Sequence, residues 1–178
     1  AGSPRRSRAR ADAGAVADAL LLVQPYVSTV KELEAEQVQG LQSLLDGLVA
    51  AYPSDAKVQL ASGICFHGTG DLQKARERLE AAEGISKDAQ ASEVLAAVLL
   101  ESGAPSLALR AVRTGIERDA RCSRLYLKQG QILAVSGAWD VARISFDTAR
   151  KLEASPLVDA ELAALDQLAA AEFLRGQG

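Results

Sequence analysis

The stretch SRLYLKQGQILAVSGAWDVARISFDTARKLEASP, residues 123–156, holds two helical patterns on either side of a glycine. In its first half Gly130 and Leu133 stand three apart. In its second half Ala142, Phe146 and Ala149 fall at i, i+4 and i+7, one face of a 3.6-residue helix. Gly137 between them reads as a helix stop, because glycine enters the left-handed region without a Cβ clash. A glycine inside a helix costs about 1 kcal/mol relative to alanine. Gly130 therefore implies that another backbone comes close, with Leu133 filling the space beside the contact.

The same grammar recurs upstream. Gly70, Gly103 and Gly137 follow one another at an interval of about 34 residues. Ala75, Ala108 and Ala142 keep that spacing, as do Leu79, Val112 and Phe146, and Ala82, Gly115 and Ala149. So do Gly63, Ala96 and Gly130, then Phe66, Leu99 and Leu133. Six positions in register across three copies define a repeat of helix pairs. Asp71 and Asp140 suit the N-terminal ends of second helices, where the dipole favours negative charge.

Composition agrees. Of 178 residues 48% are hydrophobic but only 4% aromatic, and much of the apolar share is alanine, which favours close helix contacts over a bulky single core. A net charge of −3 gives no support to nucleic-acid binding. No apolar run reaches the roughly 18 residues of a membrane span; the best, from Ala15 to Val23, is interrupted by Asp18. Membrane insertion is not expected. Cys65 and Cys122 read as reduced packing thiols, and a reducing compartment such as the cytoplasm is favoured. His67 is the single histidine, and on a helix it points about 200° away from Cys65. Without CxxC, HExxH or a phosphate-cradling glycine loop, no metal, cofactor or catalytic residue is expected, and the chain does not read as an enzyme.

These residues resemble the tetratricopeptide repeat (TPR) family, whose period is about 34 residues. The resemblance implies an all-α, right-handed α-solenoid of helix-turn-helix repeats over 56–88, 89–122 and 123–156. The third copy matches best, with Trp139 expected in its core. The second departs most: Pro105 lies near the start of its second helix and Gly115 stands where alanine is usual. Residues 12–53 read as a divergent N-terminal helix pair, either a fourth repeat or a cap, with its first helix over 12–29 open to a break at Pro25. Residues 1–11, with Arg5, Arg6, Arg8 and Arg10, read as a disordered basic arm or a vector-derived remnant. Residues 157–178 read as a capping helix and tail, with Leu165 and Leu168 covering the last repeat.

The family binds protein segments along the first helices of its repeats. Carried onto this chain, that face comprises Lys57, Leu60, Ile64 and His67, then Glu93, Ala97 and Leu100, then Arg124, Leu127, Lys128 and Gln131. The expected function is a non-catalytic scaffold, assembly factor or chaperone for a protein or peptide segment, helical and with an acidic flank drawn to Arg124 and Lys128. Some of these leucines would otherwise pack on the N-terminal pair or on a second copy, since self-association is allowed for. One subclass grips acidic chaperone tails through a lysine, asparagine and arginine clamp. Arg124 and Lys128 resemble its basic pair, but Leu60, Ile64 and Val94 stand where its other donors would be. The other reading is a regulatory or oligomerisation domain excised from a larger enzyme or envelope protein, suggested by the absence of any methionine.

Overall fold

The computed structural model describes residues 4–86 and 88–175, and the chain divides into two compact units, Ala1–Ser86 and Lys87–Gly178. Within the described residues every regular element is a helix. The first unit contains α1 (Pro4–Ser28), a short 3-10 turn (Val30–Glu32), α2 (Ala35–Ala51), α3 (Ala56–Gly68) and α4 (Leu72–Ile85). The second contains α5 (Ala89–Glu101), α6 (Pro105–Arg118), α7 (Ser123–Val135), α8 (Trp139–Leu152) and α9 (Pro156–Arg175). The helix pairs α3/α4, α5/α6 and α7/α8 are the three expected hairpins, an all-α solenoid architecture.

Each hairpin turn is built in the same way. Gly70, Gly103 and Gly137 take φ of +84°, +73° and +76°, where a Cβ would be strained. The residue after each glycine donates back to a carbonyl five positions earlier: Asp71 to Phe66, Ala104 to Leu99 and Ala138 to Leu133, at 3.0, 2.9 and 2.9 Å. The glycine N–H groups reach His67, Leu100 and Ala134, completing a Schellman motif that satisfies the last carbonyls of the first helix. Helix starts are less uniform. The Asp55 carboxylate accepts from Lys57 and Val58 N–H, Asp88 from Gln90 and Asp71 from Lys74. Cys122 holds the same register as Asp55 and Asp88 but makes no side-chain cap bond. Pro105 sits in the first turn of α6, where its missing N–H costs nothing.

Between the two helices of a hairpin, a small residue faces a large one. A Cβ on Gly63 would lie 2.6 Å from Leu79 Cγ, and one on Gly130 would lie 2.5 Å from Phe146 Cδ1 and 2.8 Å from Cζ. The middle hairpin has Ala96 where the others have glycine, and the smaller Val112 where they have leucine and phenylalanine. Sizes are matched pair by pair. The unusual Gly115 follows the same logic, because its absent Cβ leaves room for both Leu125 methyls and Ser92 Cβ, all at 2.9 Å.

The N-terminal region differs from the expectation. α1 begins at Pro4, so residues 4–11 belong to a helix rather than to a disordered arm; Ala1–Ser3 lie outside the described residues. The alanine and arginine content favours helix, and proline fits its first position. The helix also continues through Pro25 to Ser28. Pro25 and Leu21, whose carbonyl the proline leaves without its helical donor, are both exposed to water. Ser28 and Thr29 hydroxyls donate to the Gln24 and Pro25 carbonyls at 2.9 and 3.0 Å, closing the end. α1 and α2 scarcely touch each other, and both pack on α3. Val16, Val23, Val27 and Val30 form the buried seam of this segment, meeting Leu41, Leu45, Val49, Val58 and Cys65.

α9 packs on α7 and α8, but not as expected. Val158, Leu162 and Leu165 are buried in a cluster with Ala142, Phe146 and Ala149, whereas Leu168 is 50% exposed. On a helix Leu168 lies about 60° around from Leu165 but about 120° from Leu162, so it falls at the margin of the buried face. Trp139 is half-buried because it is the first residue of α8, at the edge of the cluster.

Four substitutions test this packing. Gly130→Ala should lower stability to urea by about 1–2 kcal/mol, overpacking against Phe146 outweighing the better helix propensity. Combined with Phe146→Val, which imitates the middle hairpin, it should cost less than the sum of the single losses; strict additivity would mean the two do not touch. In α9, Leu165→Ala should cost about 2–5 kcal/mol and Leu168→Ala less than about 0.5 kcal/mol, both by urea unfolding; equal losses would contradict the observed face.

Candidate functional site

The expected partner-binding residues divide between the two units. In the second unit they lie on α5 and α7, first helices of adjacent hairpins that touch directly. Glu93, Ala97 and Leu100 follow at i, i+4 and i+7 on α5, and Arg124, Leu127, Lys128 and Gln131 share one side of α7. Arg124 Nε lies 3.2 Å from Glu93 Oε2, which fixes these sides as one surface. Lys128 Nζ donates to Gln131 Oε1 at 2.9 Å, and Gln131 Nε2 donates to Glu161 Oε1 on α9 at 2.7 Å. A polar ladder thus crosses three helices. Ala97, Leu100 and Leu127 are half-buried beside it, and Leu127 also packs on the Phe146 cluster.

Glu161 was not among the residues expected from sequence. It stands one repeat length after Lys128, so the repeat register itself places it on the same face once α9 is treated as a further first helix.

The electrostatics are internally balanced. Burial pushes the Glu93 carboxyl above its ordinary range, and the charges of Arg124 and Lys128 pull it back only in part. Glu93 in turn holds Arg124 more firmly protonated. Arg124 is therefore already engaged by a carboxylate of its own chain. An acidic group arriving from outside meets a cation with a resident counter-ion.

In the first unit Lys57 is exposed on the rim of a cleft of about 560 Å3 between α1 and the start of α3, walled by Val16, Leu20 and Leu21. Leu60 is half-buried. Ile64 packs on the valine seam and, with His67, borders a smaller cavity of about 250 Å3 against Val27 and Val30. At Ile64 the packing on the N-terminal helices is what the structure shows. The Cys65 thiol, behind this surface, is pushed up to about 11 by burial first and by the charge of Asp46 second, so it stays protonated at neutral pH. Among the described residues, no group of three histidine, cysteine or carboxylate side chains is placed to hold a metal ion, and no helix is long and apolar enough to cross a membrane.

The sequence matches no protein-family model and no curated protein. Solved structures do resemble the chain. TTC0263, a thermophilic TPR protein of Thermus thermophilus, superposes with a TM-score of 0.69 at 20% identity, over 84% of this chain and 80% of that one. MamA superposes with a TM-score of 0.66 at 15% identity, over 89% and 87%. The first TPR of Spaghetti (RPAP3), bound to the HSP90 peptide SRMEEVD, gives 0.61 at 14% identity, over 65% and 93%. These likenesses establish the fold as that of the tetratricopeptide repeat.

The balance at Glu93 has a measurable consequence. A carboxyl whose folded pKa is raised binds its proton more tightly when folded, so its contribution lowers stability as pH rises from its ordinary value through the folded one. Glu93→Gln removes that penalty, while Arg124, with a side chain 62% exposed, remains hydrated. The stability of the Gln variant relative to the parent should therefore be greatest near neutral pH and shrink towards pH 4.5, the ordinary carboxyl value, read from thermal melts in a buffer series. A difference that grows on acidification would reverse the sign assigned to Glu93.

Proposed function

We propose that this chain is a non-catalytic protein-interaction scaffold that holds a segment of a partner protein against the α5/α7 face. The observation that carries this reading is the surface itself: half-buried Ala97, Leu100 and Leu127 beside a ladder of directed polar groups from Glu93 to Glu161. Apolar area combined with a polar rim is the anatomy of an interface rather than of a solvated surface. The peptide held by the first TPR of RPAP3 supports an extended or helical protein segment as the class of occupant. Roles as an assembly factor or chaperone belong to the same reading. An acidic flank on the partner would bind by displacing Glu93 from Arg124, with Lys128 as the second cation.

The test joins capture to stability. A photo-crosslinking residue at Leu100 should capture a discrete protein partner in extract, whereas the same residue at the exposed Arg110 of α6 should not. Leu100→Arg should abolish that capture, because a charge would occupy the place of a buried side chain, while circular dichroism and the melting midpoint stay unchanged. Arg124→Ala should weaken partner affinity by roughly 0.2–1 kcal/mol, and less at high salt. Unchanged capture by Leu100→Arg, together with a lower melting midpoint, would overturn the assignment and make Leu100 a packing residue.

A further inference from the structure

α8 shows water an apolar edge. Val141, Ile144, Thr148 and Leu152 recur at spacings of three and four and so form one stripe along the helix. Val141 is 51%, Ile144 65% and Leu152 38% exposed. The hydroxyl of half-buried Thr148 donates to the Ile144 carbonyl at 2.8 Å, so it needs no further polar partner on this edge. The repeat shows that the fold does not require the stripe. One repeat length before Ile144 stands Arg110 on α6, and one before that Glu77 on α4, both exposed. A second helix accepts either charge at this place, and only α8 fills it with isoleucine.

Nor is this the edge along which the chain continues. Ala142, Phe146 and Ala149 are buried against the α9 cluster, and Arg143 and Arg150 reach Asp166 and Asp159 of α9 from the side of α8 away from the stripe.

The charges beside the stripe are self-complementary. Asp140 and Lys151 lie about three turns apart on its Ile144 edge. Both are exposed, and neither forms an ion pair with another described residue. Two α8 helices laid antiparallel set Val141 against Leu152 of the second copy and Ile144 against its Thr148. Asp140 of each copy then meets Lys151 of the other. A parallel pair would set like charge against like.

We propose that two copies of this chain pair through α8 as an isologous, antiparallel dimer. The same patch serves both copies, so the contact closes at two. Four side chains from each copy make a small interface by the standard of stable complexes, so the dimer is reversible and concentration-dependent. The stripe lies on a second helix, and the proposal is independent of what the α5/α7 face binds.

Sedimentation velocity of the full chain over a concentration series tests it. The parent should pass from monomer to dimer and gain no further mass. Ile144→Arg, which imitates the middle hairpin, should lower the association constant at least tenfold, about 1.4 kcal/mol, with helicity and melting midpoint unchanged. Ile144→Ser is the milder substitution should the arginine unfold the chain. Asp140→Lys and Lys151→Asp should each weaken association alone, since each sets like charges together twice. Mixed in equal amounts, these two should form a heterodimer as readily as the parent pairs, because both contacts are again of opposite sign. Each reversal also opposes the dipole at its own helix end, so melts run in parallel establish that both chains are folded. A parent that stays monomeric overturns the proposal, as does undiminished association of Ile144→Arg. A mixture no more associated than either charge variant alone overturns the antiparallel pairing. Association that Leu100→Arg removes and Ile144→Arg leaves intact would put the contact on the α5/α7 face instead.

Discussion

The first and third hairpins are each closed by a residue with almost no side chain on one helix set against a large side chain on the next, Gly63 under Leu79 and Gly130 under Phe146. Everything else in the hairpins depends on it. The large side chain finds dense packing only because the opposing helix backbone is within reach, and that backbone is near only because no Cβ intervenes. A loss of about 1 kcal/mol of helix propensity at the glycine is offset by burial of a leucine or phenylalanine side chain, which contributes about 1.5–3 kcal/mol. The middle hairpin, with Ala96 and Val112, reaches a similar fit by moving both sizes towards the middle. Each hairpin is therefore specified by a pair of residues, and changing one member alone leaves either a clash or a void.

That constraint explains how a chain so poor in aromatic residues can present the proposed binding surface. The large side chains of the hairpins are committed between helices, so the outer sides of α5 and α7 are left to medium-sized and polar residues. Half-buried Leu100 and Leu127 supply apolar area without the exposure that would drive indiscriminate association, and Glu93, Arg124, Lys128, Gln131 and Glu161 hold one another in defined positions. A rim already paired within the chain rewards partners that can replace an existing contact, which favours selectivity over raw affinity.

The hairpins were legible in the sequence because their signals are local. Glycine stops at Gly70, Gly103 and Gly137 and the small–large register are fixed by backbone stereochemistry and by the helical period, and neither depends on distant parts of the chain. The N-terminal region was not legible in this way. Whether α1 continues through Pro25 depends on the exposure of Leu21 and Pro25 to water, a tertiary property that no spacing encodes. The face of α9 is obscure for a related reason: residues three apart such as Leu165 and Leu168 are neighbours on a helix, and only packing on α7 and α8 shows that Val158 and Leu162 accompany Leu165 while Leu168 stays exposed. For the candidate site, helix register placed Arg124, Lys128 and Glu93 on one surface, but it carried no information on their mutual pairing. Register could also have found Glu161, had α9 been read as one more first helix.

The arrangement of the first two helices bears on how the chain matures. α1 and α2 scarcely touch each other, and their valine and leucine seam closes only on α3. During synthesis, which runs from the N-terminus, these two helices emerge before α3 and wait for it to complete their packing. The seam around Val23, Val27, Leu41 and Leu45 stays open to solvent and to chaperones for that interval. Each later hairpin, by contrast, can close on itself as soon as its own second helix is made. Nascent-chain solubility therefore rests on the segment translated ahead of the hairpins, and a pause before residue 68 would prolong the stage at which most apolar surface is uncovered.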